Sequence, residues 1–316
     1  MNNETTILIV GLIASTLRLA TPLVLAALGG VFSEKSGVVN IALEGIMIAG
    51  AFSAVLGSYL TGSPWIGLIF AIMGGVLFAA LHAFLCINLQ AEQVVSGVGI
   101  NVFAAAFSSF LLYVFFGNPS QSASVVALPY PKEFFLNLPL IGNTVIGTIL
   151  SDLNYFVLIA LILVFISIFI FNKTALGLRI RAVGEHPKAA DTLGISVYGI
   201  RYLSVIISGV LGGLGGASIS IGILSSFREG MISGRGYIAL AAVIFGNWNP
   251  RNASIACLLF GFAEALQLTA QGFTFKLPQE LYSAFPYLIT MIVLIVVVGK
   301  TQGPAANGVP YKKGER

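Results

Sequence analysis

Charge is what this sequence lacks. Of its 316 residues only 9% are Asp, Glu, Lys or Arg, against about 25% in an ordinary soluble domain. That is too little charged side chain to cover a water-soluble globule of this size. Cysteine is almost absent as well. Cys86 and Cys257 both sit in apolar runs and form neither a disulfide framework nor a zinc site between them, so they read as packing residues. The two histidines, His82 and His186, stand too far apart for a zincin helix. Gly299-Lys300-Thr301 resembles the end of a phosphate-binding loop, but Leu294 stands where that loop needs glycine. Gly97-Val98-Gly99 lacks the third glycine of a dinucleotide motif because Val102 occupies its place. No enzyme active site is expected, and no cofactor bound by the chain.

What the sequence has is apolar surface: 57% hydrophobic residues and a mean hydropathy of +0.96. Lipid is the solvent this implies. The expected class is all-α, a single polytopic transmembrane helical bundle over 1–316, because helices satisfy their own backbone in hydrocarbon. Thirty-six glycines fit that class, since membrane helices use glycine to approach closely. The net charge of +4 requires no nucleic-acid partner, because the basic residues gather in one loop and the tail, as membrane orientation demands. A cleavable signal is not expected, since the first apolar segment lacks a basic n-region.

A span needs about 20 apolar residues. Runs cut at polar clusters give about nine segments: Thr6 to Leu28, Val38 to Leu60, Trp65 to Leu89, Val94 to Phe116, Tyr155 to Phe171, Tyr202 to Leu224, Tyr237 to Gly246, Ala253 to Phe273 and Tyr282 to Val298. Tyr237 to Gly246 is too short to span alone and reads as re-entrant or broken, which requires surrounding protein or a water-filled cavity. Lys173, Arg179, Arg181, Lys188 and Arg201 fill the loop 173–201, and Lys300, Lys312, Lys313 and Arg316 the tail 300–316. Both are therefore expected in the cytoplasm. The stretch 117–154, with Lys132 its one basic residue, is expected outside, and counting back puts the N-terminus outside too. Arg18 lies mid-segment, where facing lipid would cost about 2.5–3.5 kcal/mol. Glu44 is its natural partner by proximity of the first two segments.

Three stretches carry a resemblance. In Gly177 to Ile195 (GLRIRAVGEHPKAADTLGI), Pro187 suits the first position of a helix and Gly194 the position past its end. A capped two-turn helix over Pro187 to Leu193 follows, marginal unless another surface holds it. Ala189 and Ala190 are small enough to enter a cleft on a partner, with Lys188 and Asp191 at i and i+3 to meet its rim. An ordinary positive-inside loop is the alternative. In Gly29 to Ala51 (GGVFSEKSGVVNIALEGIMIAGA), Ser33 to Ser36 breaks the apolar run, Asn40 is placed to cap the next helix and Glu44 lies in its first turn, where the dipole favours an anion. The third is Gly234 to Gly246 (GRGYIALAAVIFG), before Asn249-Pro250. In order and wording these resemble the permeases of the branched-chain amino acid, ribose and nucleoside group of ABC importers over about residues 15 to 300, and the nucleoside subgroup within it. One departure is Ile238, where many members carry an acidic residue.

The resemblance implies the type II importer architecture and half of a translocation pathway. It implies a homologous second permease, a cytoplasmic ABC ATPase with two nucleotide-binding modules that holds the ATP, and an extracytoplasmic nucleoside-binding lipoprotein. Glu185, His186, Pro187, Lys188, Ala189, Ala190, Asp191 and Gly194 would then couple to the ATPase. A ribose-type sugar permease is the nearest alternative. An ion-coupled carrier would need titratable pairs and inverted repeats, and only Glu264 stands out as a mid-span acid; a channel would need filter rings. Polar residues inside spans are candidates for the pathway. Glu264, Gln267 and Gln271 share one helical face at i, i+3 and i+7, Gln93, Gly97 and Asn101 another at i, i+4 and i+8, and Glu44 joins them. Either stripe lines an aqueous path or serves as interhelical glue. The glycines Gly209, Gly212, Gly213, Gly215, Gly216 and Gly222 read as a close-packing face or as a flexible wall.

Overall fold

A computed structural model describes residues 3–132, 144–270 and 301–313, with 135, 284, 288 and 291. Its helices in chain order are α1 (Asn3–Lys35), α2 (Leu43–Thr61), α3 (Pro64–Ala83, running into a π-helical turn Phe84–Asn88), α4 (Gln93–Phe116), α5 (Val145–Ser151), α6 (Tyr155–Lys173), α7 (Ala175–Glu185), α8 (Pro187–Thr192), α9 (Val197–Ile219, running into a π-helical turn Ser220–Leu224), α10 (Arg235–Phe245) and α11 (Pro250–Ala270). Among the described residues the one β-type pairing is an isolated bridge between Gln121 and Arg228.

The boundaries follow local chemistry. Ser63-Pro64 opens α3 after Gly62 has closed α2 at φ +69°. The Glu92 carboxylate accepts from the amides of Val94 and Val95 to cap α4. Asn154, Thr174 and Ser196 cap α6, α7 and α9 through Val157, Gly177 and Gly199. Two expectations are corrected here. Helix α1 runs unbroken through Ser33 to Lys35, and the break falls at 36–42 instead. Asn40 does not cap α2; its amide donates to Ser208 of α9 at 2.8 Å, because the bend of the connection turns it toward the bundle centre.

Among the described residues seven helices are long and apolar enough to cross a membrane: Leu8–Lys35, Leu43–Thr61, Pro64–Asn88, Gln93–Phe116, Tyr155–Lys173, Val197–Leu224 and Pro250–Ala270. Helix α10, with 11 residues, is not; it measures roughly 16 Å against a hydrocarbon core of about 30 Å. The segment Tyr282 to Val298, apart from 284, 288 and 291, lies outside the described residues. Helix α9 runs through the middle with α1, α2 and α3 packed on it. Its most apolar window is 78% buried, against 28% for α4 and for α6, which places those two at the periphery. The glycine run of α9 is where this packing is closest. A Cβ on Gly50 would collide with the backbone of Gly213, and one on Gly75 with the carbonyl of Gly209, so helix-to-helix approach accounts for the run.

Contacts sort the connections onto two ends. At one end, called the loop end here, Ser58 of α2 donates to the carbonyl of Val126, Ser122 and Leu128 donate from their amides to the carbonyls of Phe227 and Ile221, and Trp65 of α3 lies 5.6 Å from Tyr155 of α6. Leu17 in the first half of α1 packs with Leu150, Leu153 and Val157 there. At the other, the tail end, the amide of Ala306 donates to the carbonyl of Gly184, that of Gly308 to Gly37 and that of Gln302 to Asn247. The loop 173–201 and the described tail therefore share one end, and 117–132 occupies the other.

Candidate translocation and coupling site

Helix α10 begins inside the bundle, and its N-terminus is where the polar residues of the span converge. Any helix start leaves amides without intrahelical partners, and at membrane depth water does not supply them. Here Glu44 does. Its Oε1 accepts from the amide of Gly234 at 2.8 Å and its Oε2 from that of Gly236 at 2.7 Å, so a carboxylate sits at the positive end of the helix dipole. Gly234 has φ +80°, and a Cβ on Gly236 would collide with the amide nitrogen of Glu44; the two glycines of Gly234-Arg-Gly are what this approach requires. Arg235, between them, crosses to α11, where its Nη2 meets Glu264 Oε1 at 2.5 Å with side chains 20% and 27% exposed. Tyr237 accepts at its hydroxyl from Asn101 Nδ2 of α4 at 2.9 Å.

The sequence-derived candidates thus divide. Glu44, Asn101 and Glu264 meet around the start of α10. Asn101 also donates to the carbonyl of Ile41 at 2.9 Å and accepts from the amide of Gly45 at 2.7 Å. Gln93, on the same face of α4, accepts from the amide of Val39 at 2.7 Å. That stripe holds the bend 36–42 in place. Gln267 is half-buried on α11, and Gln271 lies outside the described residues. The expected pairing of Arg18 with Glu44 is overturned. Glu44 is engaged by α10, whereas Arg18 donates to Ser15 at 3.3 Å and lines, with Tyr130 and Leu268, a cavity of about 250 Å³ nearer the loop end. The cause is α1's orientation: Arg18 and the first turn of α2 lie at different depths.

At the tail end, α8 begins on Pro187, and Gly194 follows it at φ +79°. Glu185, His186, Lys188, Ala189, Thr192 and Leu193 are exposed, Leu193 at 81%, and Pro187 and Asp191 are half-buried. Ala190, expected with Ala189 to enter a cleft on a partner, does not stand exposed beside it. It is buried, in a cluster with Val183 of α7, Val197 of α9 and Tyr311 of the tail, because the residue three past Pro187 faces back onto α7.

The tail is the surface that short helix needs. Ala305 donates to the Glu185 carboxylate at 3.2 Å, Tyr198 donates from its hydroxyl to the carbonyl of Tyr311 at 3.1 Å, and the two rings meet edge-on at 5.6 Å. Burial, then Asp191 beside it, hold the Tyr311 phenol above its ordinary pKa, so it stays protonated. Arg201, 2% exposed, donates to the carbonyls of Ser36 at 3.2 Å and Val309 at 3.0 Å. Earlier in the tail, Gly303 packs on Trp248, whose indole donates to Glu34 of α1 at 2.5 Å. Sequence reasoning missed Arg201, Tyr311, Trp248 and the Arg235 pairing. Arg201 enters the sequence reading only as positive-inside charge. The decisive partners lie far along the chain, Val309 for Arg201, Tyr198 for Tyr311, Glu34 for Trp248 and Glu264 for Arg235, which also donates to the nearby carbonyls of Met231 and Ile232.

A bundle of apolar crossings around a discontinuous span, with polar side chains gathered at the break and a short helix exposed at one end, is the architecture of a multi-pass membrane protein. Residues 12–294 match the family described as branched-chain amino acid transport system / permease component, and the chain belongs to it. The guanosine ABC transporter permease protein NupQ of Bacillus subtilis (strain 168) is 45% identical over 96% of this chain and 97% of that one. The nucleoside ABC transporter permease protein NupC of Lactococcus lactis subsp. cremoris (strain MG1363) is 40% identical over 96% and 97%. TsgC13 of Haloferax volcanii, named provisionally as a glucose ABC transporter permease protein, is 35% identical over 92% and 93%.

Proposed function

We propose that this chain is a permease subunit of an ATP-driven nucleoside importer and supplies half of its translocation pathway. The observation that carries the reading is nearly full-length likeness to permeases named for guanosine and for nucleosides. A homologous second permease provides the other half, an extracytoplasmic lipoprotein delivers the nucleoside, and a cytoplasmic ABC ATPase with two nucleotide-binding modules binds and hydrolyses the ATP. The tail end faces the cytoplasm, because the basic residues gather there.

In this reading the exposed face of α8, with Glu185, His186, Lys188, Ala189 and Leu193, docks on the ATPase, while Pro187, Asp191 and Gly194 set its shape. Closure of the ATPase on ATP pushes α8. The tail, bonded to α7, packed on α8 and held by Asn247 before α11, carries the push to the inner end of α10. The N-terminus of α10, held by Glu44 and the Arg235–Glu264 pair, then shifts relative to α4 and α11 and opens the path to alternate sides. Gln267, on the Glu264 face, lines that path.

The glucose-named relative favours a second reading, import of a simple sugar. What guanosine and glucose share is a ring with adjacent hydroxyls. The test is ATP-dependent uptake of labelled guanosine and uridine by the chain expressed with a cognate ATPase, second permease and lipoprotein. Nucleoside uptake that unlabelled glucose does not inhibit is the expected result; glucose uptake without nucleoside uptake overturns the nucleoside reading.

A further inference from the structure

Between Leu224 and α10 the chain returns through the outer half of the bundle without forming a helix. Phe227 meets Phe52 of α2 edge-on at 5.5 Å between ring centroids, and Gly234 reaches Glu44 in the first turn of α2. The segment therefore runs down beside α2 for about two turns. Backbone of this kind is not stable against lipid, where every unpaired amide and carbonyl costs several kcal/mol; it is found buried in protein or lining water.

On the exposed side of this segment is a carboxylate. Glu229 accepts from Ser109 Oγ of α4 at 2.9 Å. Ser109 lies seven residues before the end of α4, roughly 10 Å below it, so the Glu229 side chain reaches inward from the loop end. Facing lipid there, a charge is expensive. Beside it is a cavity of about 250 Å³, lined by Ile48, Ala105, Ser109, Phe227, Glu229 and the backbone at Gly230. Complete ligand pockets run from roughly 300 to 1,000 Å³, so this volume fits one wall of a site that a facing permease completes. The Ser109 hydroxyl spends its proton on Glu229 and keeps acceptor capacity. The pair thus presents neighbouring acceptors, one of them anionic, above an apolar floor of Ile48 and Phe227.

The geometry points to Glu229 and Ser109 as a substrate subsite that accepts hydrogen bonds from two adjacent hydroxyls, the 2′,3′-diol of a nucleoside ribose. This rests on the proposed importer function, whose substrates share that diol. Hydroxyl donors to a carboxylate make the stronger, charge-assisted kind of hydrogen bond, and the apolar floor suits the ring carbons.

The experiment compares uptake of uridine and 2′,3′-dideoxyuridine by the complete transporter carrying wild-type chain, Glu229→Ala or Glu229→Gln. Wild type is expected to favour uridine. Glu229→Ala should shrink that preference about tenfold, through a higher KM for uridine with little change for the dideoxy analogue, and Glu229→Gln should fall between. An unchanged ratio in Glu229→Ala overturns the subsite. Should neither variant transport, Ser109→Cys in the otherwise intact transporter is labelled with a thiol reagent, against a low background because Cys86 and Cys257 are buried. Protection by uridine and not by the dideoxy analogue supports the subsite; equal protection, or none, overturns it. Absence of nucleoside uptake by wild type counts against the importer reading alone, and the same labelling run with glucose and 2,3-dideoxyglucose then decides the subsite.

Discussion

Arg201, in the second turn of α9, donates from Nη1 to the carbonyl of Val309, 108 residues later in the chain, at 3.0 Å. Its Nε bonds the carbonyl of Ser36, so one buried guanidinium ties the end of α1, the start of α9 and the tail. Replacing Arg201 with Met should leave those carbonyls without the donor, at about 1–3 kcal/mol each. The expected result is a thermal midpoint several degrees lower in detergent and faster tryptic cleavage at Lys312 and Lys313. Wild-type values for both would show that the tail is held by other contacts.

Glu44 should matter more to α10 than to α2. Glu44→Ala removes the acceptor for the amides of Gly234 and Gly236 at membrane depth, whereas Glu44→Gln keeps one oxygen for them. Uptake is expected to fall at least tenfold in the alanine variant and less in the glutamine one, with similar amounts in the membrane. Equal uptake in both variants and wild type would remove Glu44 from the support of α10.

Arg235 and Glu264 are a pair, so their substitutions should not add. Each single change to Leu strands a charge in the span, and the double change strands none. The double variant is expected to be more stable than the sum of the single losses predicts, by about 1 kcal/mol or more, measured by thermal unfolding. Additive losses would mean that the two charges do not sense one another.

For coupling, the informative position is Leu193 rather than Ala190. Leu193→Asp places a charge on the most exposed apolar side chain of that loop and should reduce co-purification of the ATPase at least tenfold, with the subunit still folded. Ala190→Trp, by contrast, enlarges a buried residue against Tyr311 and Val183 and should expose the tail to protease. Full ATPase retention by Leu193→Asp would move the docking face elsewhere.

Composition and patterning alone determine that this chain is an all-helical membrane protein, that Tyr237 to Gly246 is too short to cross, and that Pro187 starts a short helix ended near Gly194. These properties are local: apolar run length, glycine and proline punctuation, and the period of one helix are all written along the chain. The stripes of Gln93 and Asn101 and of Glu264 and Gln267 are legible for the same reason. Only the tertiary structure decides what those polar groups face. Glu44 caps a helix 190 residues away, Asn40 reaches Ser208 instead of capping α2, Ala190 turns inward onto Tyr311, and Glu229 finds Ser109 across 120 residues. Where lipid supplies no hydrogen bonds, an amide or carboxylate takes the nearest satisfactory partner on any helix, and which helix that is depends on how glycine contacts such as Gly50 on Gly213 set the packing.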